Sequence, residues 1–353
     1  IRTVRNGSTV DVSYYYDTLG QLVREDDARI SQSTVYTYDT GGNLLTKRIL
    51  PYYEGDSRLI TYEYGNSEWK DLLTKYDGQD ITYDQIGNPL NYRDGMVMTW
   101  QNGRQLTTLQ KGTDAVSYTY DADGLRTSKT VNGQTTQYFW DDRGVMYKQA
   151  NTGGNFLWFY ADPDGTIGSI NYNDARYALL KNVQGDVIGL ADSNGNLVAQ
   201  YTYGAWGNIL SITDGSGNDV SNNPTHIANI NPIRYRGYYY DTETGLYYLR
   251  SRYYDPEICR WINADNQLST GDMTCMNLFA YCGNNPVNRI DPTGEAWWHW
   301  ALGAVVVAAC AVATVVTAGG FAAAAGAVAA VGSGVAAATT ASTVAAGAFI
   351  GSA

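Results

Sequence analysis

The sequence predicts an all-β fold: an array of β-hairpin repeats forming a curved or spiral sheet, closed by a distinct segment and followed by a short α-helical apolar tail. Three observations predict it. Thirty Tyr stand against six Phe, beside 38 Gly; Tyr and Thr suit a half-buried pleated surface, and Gly suits tight turns. A Tyr-Asp phrase recurs along residues 14–210. After Glu295 the chain carries no Asp, Glu, Lys or Arg, so residues 296–353 prefer a different solvent from the rest.

The repeat is plain in "YYYDTLGQLV" at 14, "YTYDTGGNLL" at 36, "ITYDQIGNPL" at 81, "YTYDADGLRT" at 118 and "YTYGAWGNIL" at 201. Degenerate copies are "YFWDDRGVMY" at 138 and "LLKNVQGDVIGL" at 179. Clear neighbours are roughly 20–22 residues apart, a spacing typical of repeat architectures. In the copy at 36, Tyr36 and Tyr38 alternate with Thr37, so both rings share one face of a strand. Asp39 folds its carboxylate onto the following amides and starts a turn, and Gly42 supplies a positive φ. Leu44 or Leu45 then begins the return strand. One hairpin is marginal in water and needs neighbours over its apolar face, so a curved sheet or a compact sandwich must result.

These phrases resemble the YD repeats of the rearrangement-hotspot (Rhs) and wall-associated protein families, found also in the C component of insecticidal Tc toxins and in teneurins. Downstream, "RYRGYYYDTETGLYYLRSRYYDPEICRWINAD" (234–265) and "NLFAYCGNNPVNRIDPTG" (277–294) resemble the Rhs-associated core that ends such a shell. The resemblance implies a spiralling β-shell over residues 1–215, a loop over 216–233, the core over 234–295 and an apolar pretoxin or transmembrane-like segment over 296–353. It also implies a secreted or cell-wall-associated polymorphic toxin whose C-terminal toxin domain is held in cis, with an immunity protein as a further partner. The chain starts at Ile1 with no basic-then-apolar leader, and it is expected to be an internal piece of a longer polypeptide.

In the family the core is an intramolecular aspartic protease that cuts after a DPxGL motif. Carried over by position, Asp265 in "INAD" matches the first family box, and Asp291-Pro292-Thr293-Gly294 matches the second. Glu295 stands where Leu is usual, which puts the scissile bond at Glu295–Ala296. Arg260 in "CRWI" matches the family's "GRF" arginine, with Cys259 in place of Gly. The second carboxylate is either Asp272 or Asp291 itself, and the first box reads "DNQL" rather than DPxG. The chemistry is intelligible: one ionised carboxylate activates water and one protonated partner donates to the carbonyl oxygen. A bond tethered to its own protease also gains proximity.

Other chemistry finds little support. A net charge of −11 argues against a nucleic-acid groove. "DADG" (121–124) and "DPDG" (162–165) lack the later ligands of a calcium loop and suit plain turns. His226 and His299 are isolated, so neither a metal site nor a Ser-His-Asp set follows, and no cofactor motif is present. The cysteines 259, 275, 282 and 310 have no zinc spacing; a Cys275–Cys282 disulfide is open in an oxidising compartment. Residues 297–340 are long and apolar enough for a membrane-contacting helical hairpin, or for a helical pair buried in a cavity. Two other classes remain: an uncleaved surface adhesin anchored by its tail, and a carbohydrate-binding β-protein using exposed Tyr.

Overall fold

The computed structural model describes residues 2–5, 8–52, 55–265 and 277–295. Two antiparallel meanders dominate, one of eight strands over residues 2–80 and one of fourteen over residues 82–214, and each strand pairs with its sequence neighbours. A four-stranded sheet formed by Tyr239–Asp241, Leu246–Tyr248, Tyr253–Asp255 and Arg260–Trp261 lies in the closing segment. Both meanders and this sheet share one apolar core, in which Tyr36, Tyr118, Tyr201, Tyr247 and Tyr281 are all buried. The meanders are thus curled over the closing segment, as the curved-sheet expectation requires.

The clear Tyr-Asp turns are built as the Asp predicts. Asp39 Oδ1 accepts from the amides of Gly41 and Asn43, both at 2.8 Å. Gly42 takes φ +79°, where a side chain would be strained. Asp17, Asp84, Asp121, Asp141 and Asp192 repeat the pattern with the amides two and four residues ahead. "DADG" and "DPDG" are turns, with Gly124 and Gly165 at positive φ.

The excess of Tyr over Phe has a structural reason. Just before the repeat aspartate the ladder slips by one residue, for example between Thr37 and Tyr38 and between Thr119 and Tyr120. Such bulges bend the strand and increase its twist. The displaced aromatic reaches back to a carbonyl just past the preceding turn: Tyr38 Oη to Leu22 O at 2.7 Å and Tyr120 to Leu106 at 3.0 Å; Tyr64, at the end of its strand without a bulge, makes the same tie to Leu44 at 2.9 Å. Trp100 and Trp140 do the same with Nε1, at 2.7 and 2.8 Å. A Phe at these positions would fill space but leave a carbonyl unpaired.

The segment 216–233, expected as a loop, carries a short helix at Ile227–Ile230 capped by His226, whose Nδ1 accepts from Ala228 N at 3.1 Å. No helix among the described residues is long and apolar enough to cross a membrane. The expected helical tail and its membrane contact over 297–340 lie outside the described residues.

Candidate functional site

Asp265 and Asp291 are brought to one guanidinium. Arg252 enters the strand Tyr253–Asp255, and Trp261 on the adjacent strand stacks under it with Arg252 Cζ 4.0 Å from the ring centroid. Held flat there, Arg252 places Nη1 2.8 Å from Asp265 Oδ2 and Nη2 3.3 Å from Asp291 Oδ2. Its Nε donates to the Gly294 carbonyl. One side chain therefore ties both candidate carboxylates to the backbone one residue before Glu295.

The Asp-Pro-Thr-Gly turn is held from all sides. Asp291 Oδ1 accepts from Gly294 N at 2.8 Å and Thr293 N at 3.3 Å. Tyr238 Oη donates to Asp291 O at 2.8 Å and accepts from Asp291 N at 3.3 Å. Ser251 Oγ donates to Thr293 O at 2.9 Å. Gly294 sits at φ +79°, and a Cβ there would stand 2.9 Å from Leu249 O. Only glycine fits both the conformation and the space.

The two carboxyls differ in setting. Burial pushes the Asp291 carboxyl above its ordinary value and Asp265 adds to this, while Arg252 and the two turn amides oppose it. The Asp265 side chain is the more open, 17% exposed against 2% for Asp291. Burial also lowers the Arg252 pKa, opposed by the same two carboxylates.

Arg260 is elsewhere. Its neighbour Trp261 faces Arg252, so Arg260 points to the opposite face. There it donates to Tyr64 Oη, to Asp71 O at 2.8 Å and to Asn43 Oδ1 at 3.3 Å. It joins the closing segment to the first meander, and Arg252 holds the place expected of it beside the carboxylates. Glu295 follows the turn, while Asp272 and Ala296 lie outside the described residues. Cys259 and Cys282 are free and buried, while Cys275, the other half of the open disulfide pairing, lies outside the described residues. Burial raises both thiol pKa values, that of Cys259 to about 12, as expected of inert core thiols. Among the described residues no three His, Cys, Asp or Glu side chains converge as a metal set.

A family model described as "Teneurin YD-shell" matches residues 1–287. The chain belongs to the YD-shell family. The tRNA3(Ser)-specific nuclease WapA of Bacillus spizizenii is 37% identical over 295 residues, covering 81% of this chain and 12% of that protein. The tRNA nuclease WapA of Bacillus subtilis is 36% identical over the same length and coverage. The chain thus spans only a small part of these relatives. Among solved structures, a TcdB2-TccC3-Cdc42 crystal structure matches with a TM-score of 0.63 at 20% identity, over 85% of this chain and 16% of that one; this shows the fold.

In this YD-shell the closing segment is clamped to both meanders, which fixes the Arg252 site relative to the wall. Asp241 accepts from Arg126 Nη1 at 2.6 Å and Lys129 Nζ at 2.7 Å, all buried. Asp255 accepts from Arg93 Nε. Asn284 Nδ2 donates to Gly42 O at 2.7 Å, seating the "NNP" phrase on a repeat turn. The turn "GAWG", which has no Asp, is folded inward, where Tyr235, Tyr254 and Tyr247 donate to the carbonyls of Ala205, Trp206 and Gly207. Sequence reasoning missed Arg252, Tyr238 and Ser251, which carry no local signal separating them from neighbouring Arg, Tyr and Ser.

Proposed function

We propose that this chain is the closing region of a YD-repeat shell that encapsulates a toxin carried further along the same polypeptide, and that its core severs the chain at Glu295–Ala296. The observation carrying the second part is the single Arg252 guanidinium joining Asp265, Asp291 and the Gly294 carbonyl. The first part is supported by the YD-shell family match and by relatives named as nucleases and toxin subunits. Secretion, and an immunity protein that binds the released toxin, are part of the same proposal.

In the proposed reaction Asp291 is the acid. Its burial favours the protonated form, which donates to the scissile carbonyl oxygen. Asp265, the more open carboxylate, takes a proton from the attacking water. Arg252 is a positioning residue: it keeps the two carboxyls apart in role and anchors the chain upstream of the scissile bond. The Glu295–Ala296 C–N bond then breaks as Asp265 passes the water proton to the departing amine of Ala296, the carbonyl-oxygen proton returns to Asp291, and the new carboxyl group stays on Glu295. Intact-mass analysis of the purified chain tests this. A fragment ending at Glu295, absent in Asp265→Asn, supports it; uncut chain from both proteins rejects it.

A further inference from the structure

One turn of the second meander is built differently from the Tyr-Asp turns. The strands Val97–Gln101 and Gln105–Lys111 slip by one residue between Thr99 and Trp100, so Trp100 faces Leu106 as Tyr38 faces Leu44. In that register Arg104 stands where the repeat carries Gly42, and Gln101 where it carries Asp39. The positive φ falls earlier, at Asn102 (+47°) and Gly103 (+86°), which frees position 104 for a side chain. The turn is braced from behind. Asn88, wholly buried and fixed by Asp84 Oδ2 at 2.8 Å, donates Nδ2 to the Gly103 carbonyl at 2.7 Å.

The guanidinium carried by this turn is aimed at the candidate cleavage site. Arg104 Nη2 donates to the Asp265 carbonyl at 3.1 Å, across 161 positions of sequence. Asp265 N donates to the Leu278 carbonyl at 2.9 Å, so core and wall hold opposite ends of one residue. The Asp265 side chain then meets Arg252 Nη1 at 2.8 Å. Residues 101–103 are exposed and Arg104 is half-buried, so its side chain leaves solvent to make this contact. Among the described residues it has no carboxylate partner. Its charge reaches the neighbouring guanidinium: burial lowers the Arg252 pKa, the two carboxylates oppose this, and Arg104 adds to the fall.

We infer that Arg104 is a positioning residue of the cleavage site, supplied by the wall rather than by the core, so that the chain is cut only after this turn has docked on the closing segment. This role presupposes the cleavage proposed above. A carboxylate that takes a proton from water must be held to within about 0.5 Å of its working place. The wall supplies one of the two backbone hydrogen bonds that fix Asp265, and without it the carboxylate can turn about the Leu278 tie. A cut made before closure would release the downstream segment outside the wall. A wall residue in the site sets the opposite order.

Full chain made by cell-free translation and sampled over time by mass analysis tests this. Arg104→Gln should be cut at Glu295 about tenfold more slowly, the scale of one hydrogen bond from a charged donor. Arg104→Lys should stay within about threefold of wild type, because one carbonyl needs one charged donor rather than a planar fork. Arg143→Gln, which removes an exposed charge on another turn of the same meander, should be cut at the wild-type rate. In an Arg252→Lys background the further loss from Arg104→Gln should be less than about tenfold, since both arginines place the same carboxylate. In the uncut Asp265→Asn background, Arg104→Gln should move the thermal midpoint by no more than about 2 °C. Wild type that stays uncut overturns the proposed cleavage and this role with it. Cut wild type beside Arg104→Gln cut at the same rate overturns this role alone. So does a slowing that Arg104→Lys shares in full, or one that comes with a larger fall in midpoint.

Discussion

Arg252 Nη1 lies 2.8 Å from Asp265 Oδ2 while the same guanidinium reaches Asp291 Oδ2 at 3.3 Å, so residues from separate phrases of the sequence act on one group. Lysine is a single point charge and cannot serve two carboxylates and a carbonyl in this planar way. Arg252→Lys should therefore cut at Glu295 about a hundredfold more slowly, the scale of lost positioning. A merely structural role would leave the pH profile unmoved. Arg252→Gln, which removes the cation that holds the Asp291 pKa down, should instead move the descending limb to higher pH. Timed intact-mass measurements across a pH series read both effects.

The wild-type profile follows from the same groups. Burial, then Asp265, raises the Asp291 carboxyl, and cleavage needs it protonated. Cleavage should fall as pH rises through that raised value, at a pH above the ordinary Asp value of about 3.9. Asp291→Asn should give uncut chain at every pH. A descending limb at the ordinary Asp value would remove Asp291 from the role of acid.

Much of this was legible in the sequence because it is local. Asp39 caps its own turn within four residues and reads from spacing, and the Asp291 box, whose carboxylate likewise accepts from amides within three residues, was legible through the resemblance to the family core. The arginine was not legible. Arg250, Arg252 and Arg260 share one short segment, and only the stacking of Trp261 on Arg252 decides which faces the carboxylates. Arg260 is claimed by Asn43, Tyr64 and Asp71, which are nearly two hundred or more positions earlier in the chain. The inward fold of "GAWG" was hidden for the same reason: its partners Tyr235, Tyr247 and Tyr254 belong to the closing segment.

The tyrosine ties make a second prediction independent of cleavage. Tyr38→Phe keeps the ring but strips the donor from the Leu22 carbonyl. The loss should be about 1–2 kcal/mol, for one hydrogen bond and one part-buried carbonyl left unpaired. Tyr38→Trp should recover part of it, since Trp100 and Trp140 make the same tie with Nε1. Tyr15→Phe, on an exposed ring, should be neutral. Urea midpoints of the three variants decide the matter.

Asp241 should be the costliest single carboxylate to lose. Burial disfavours its charge, yet Arg126 and Lys129 outweigh that and hold its pKa below the ordinary value. Asp241→Asn leaves Arg126, which is wholly buried among Tyr118, Tyr138, Tyr239 and Tyr248, without its counter-charge. Removing one partner of a buried pair typically costs about 3–5 kcal/mol. Thermal unfolding should show a lowered midpoint, and the closing segment should become protease-sensitive before the meanders do.

Glu25 gives the two meanders a pH-dependent joint. The repeat at 201 lacks the usual turn aspartate, carrying Gly204 instead, and Glu25 from the first meander accepts from Ala205 N at 3.0 Å. Beside it, Arg29 donates to Tyr203 O at 2.9 Å while pairing with Asp27. Burial, then Asp27, pushes the Glu25 pKa up to about 7; the Ala205 amide, Arg29 and Lys47 oppose the rise. A raised carboxyl pKa means the folded state binds the proton more tightly than the unfolded one. Its contribution is therefore full below the unfolded value of 4.5 and is lost as pH rises through about 7. Glu25→Gln, which keeps an acceptor without the charge, should flatten the stability profile between those values. At pH 8 it should be more stable than wild type by an amount on the order of 2–3 kcal/mol. Parallel pH dependence in wild type and Glu25→Gln would place the titrating group elsewhere.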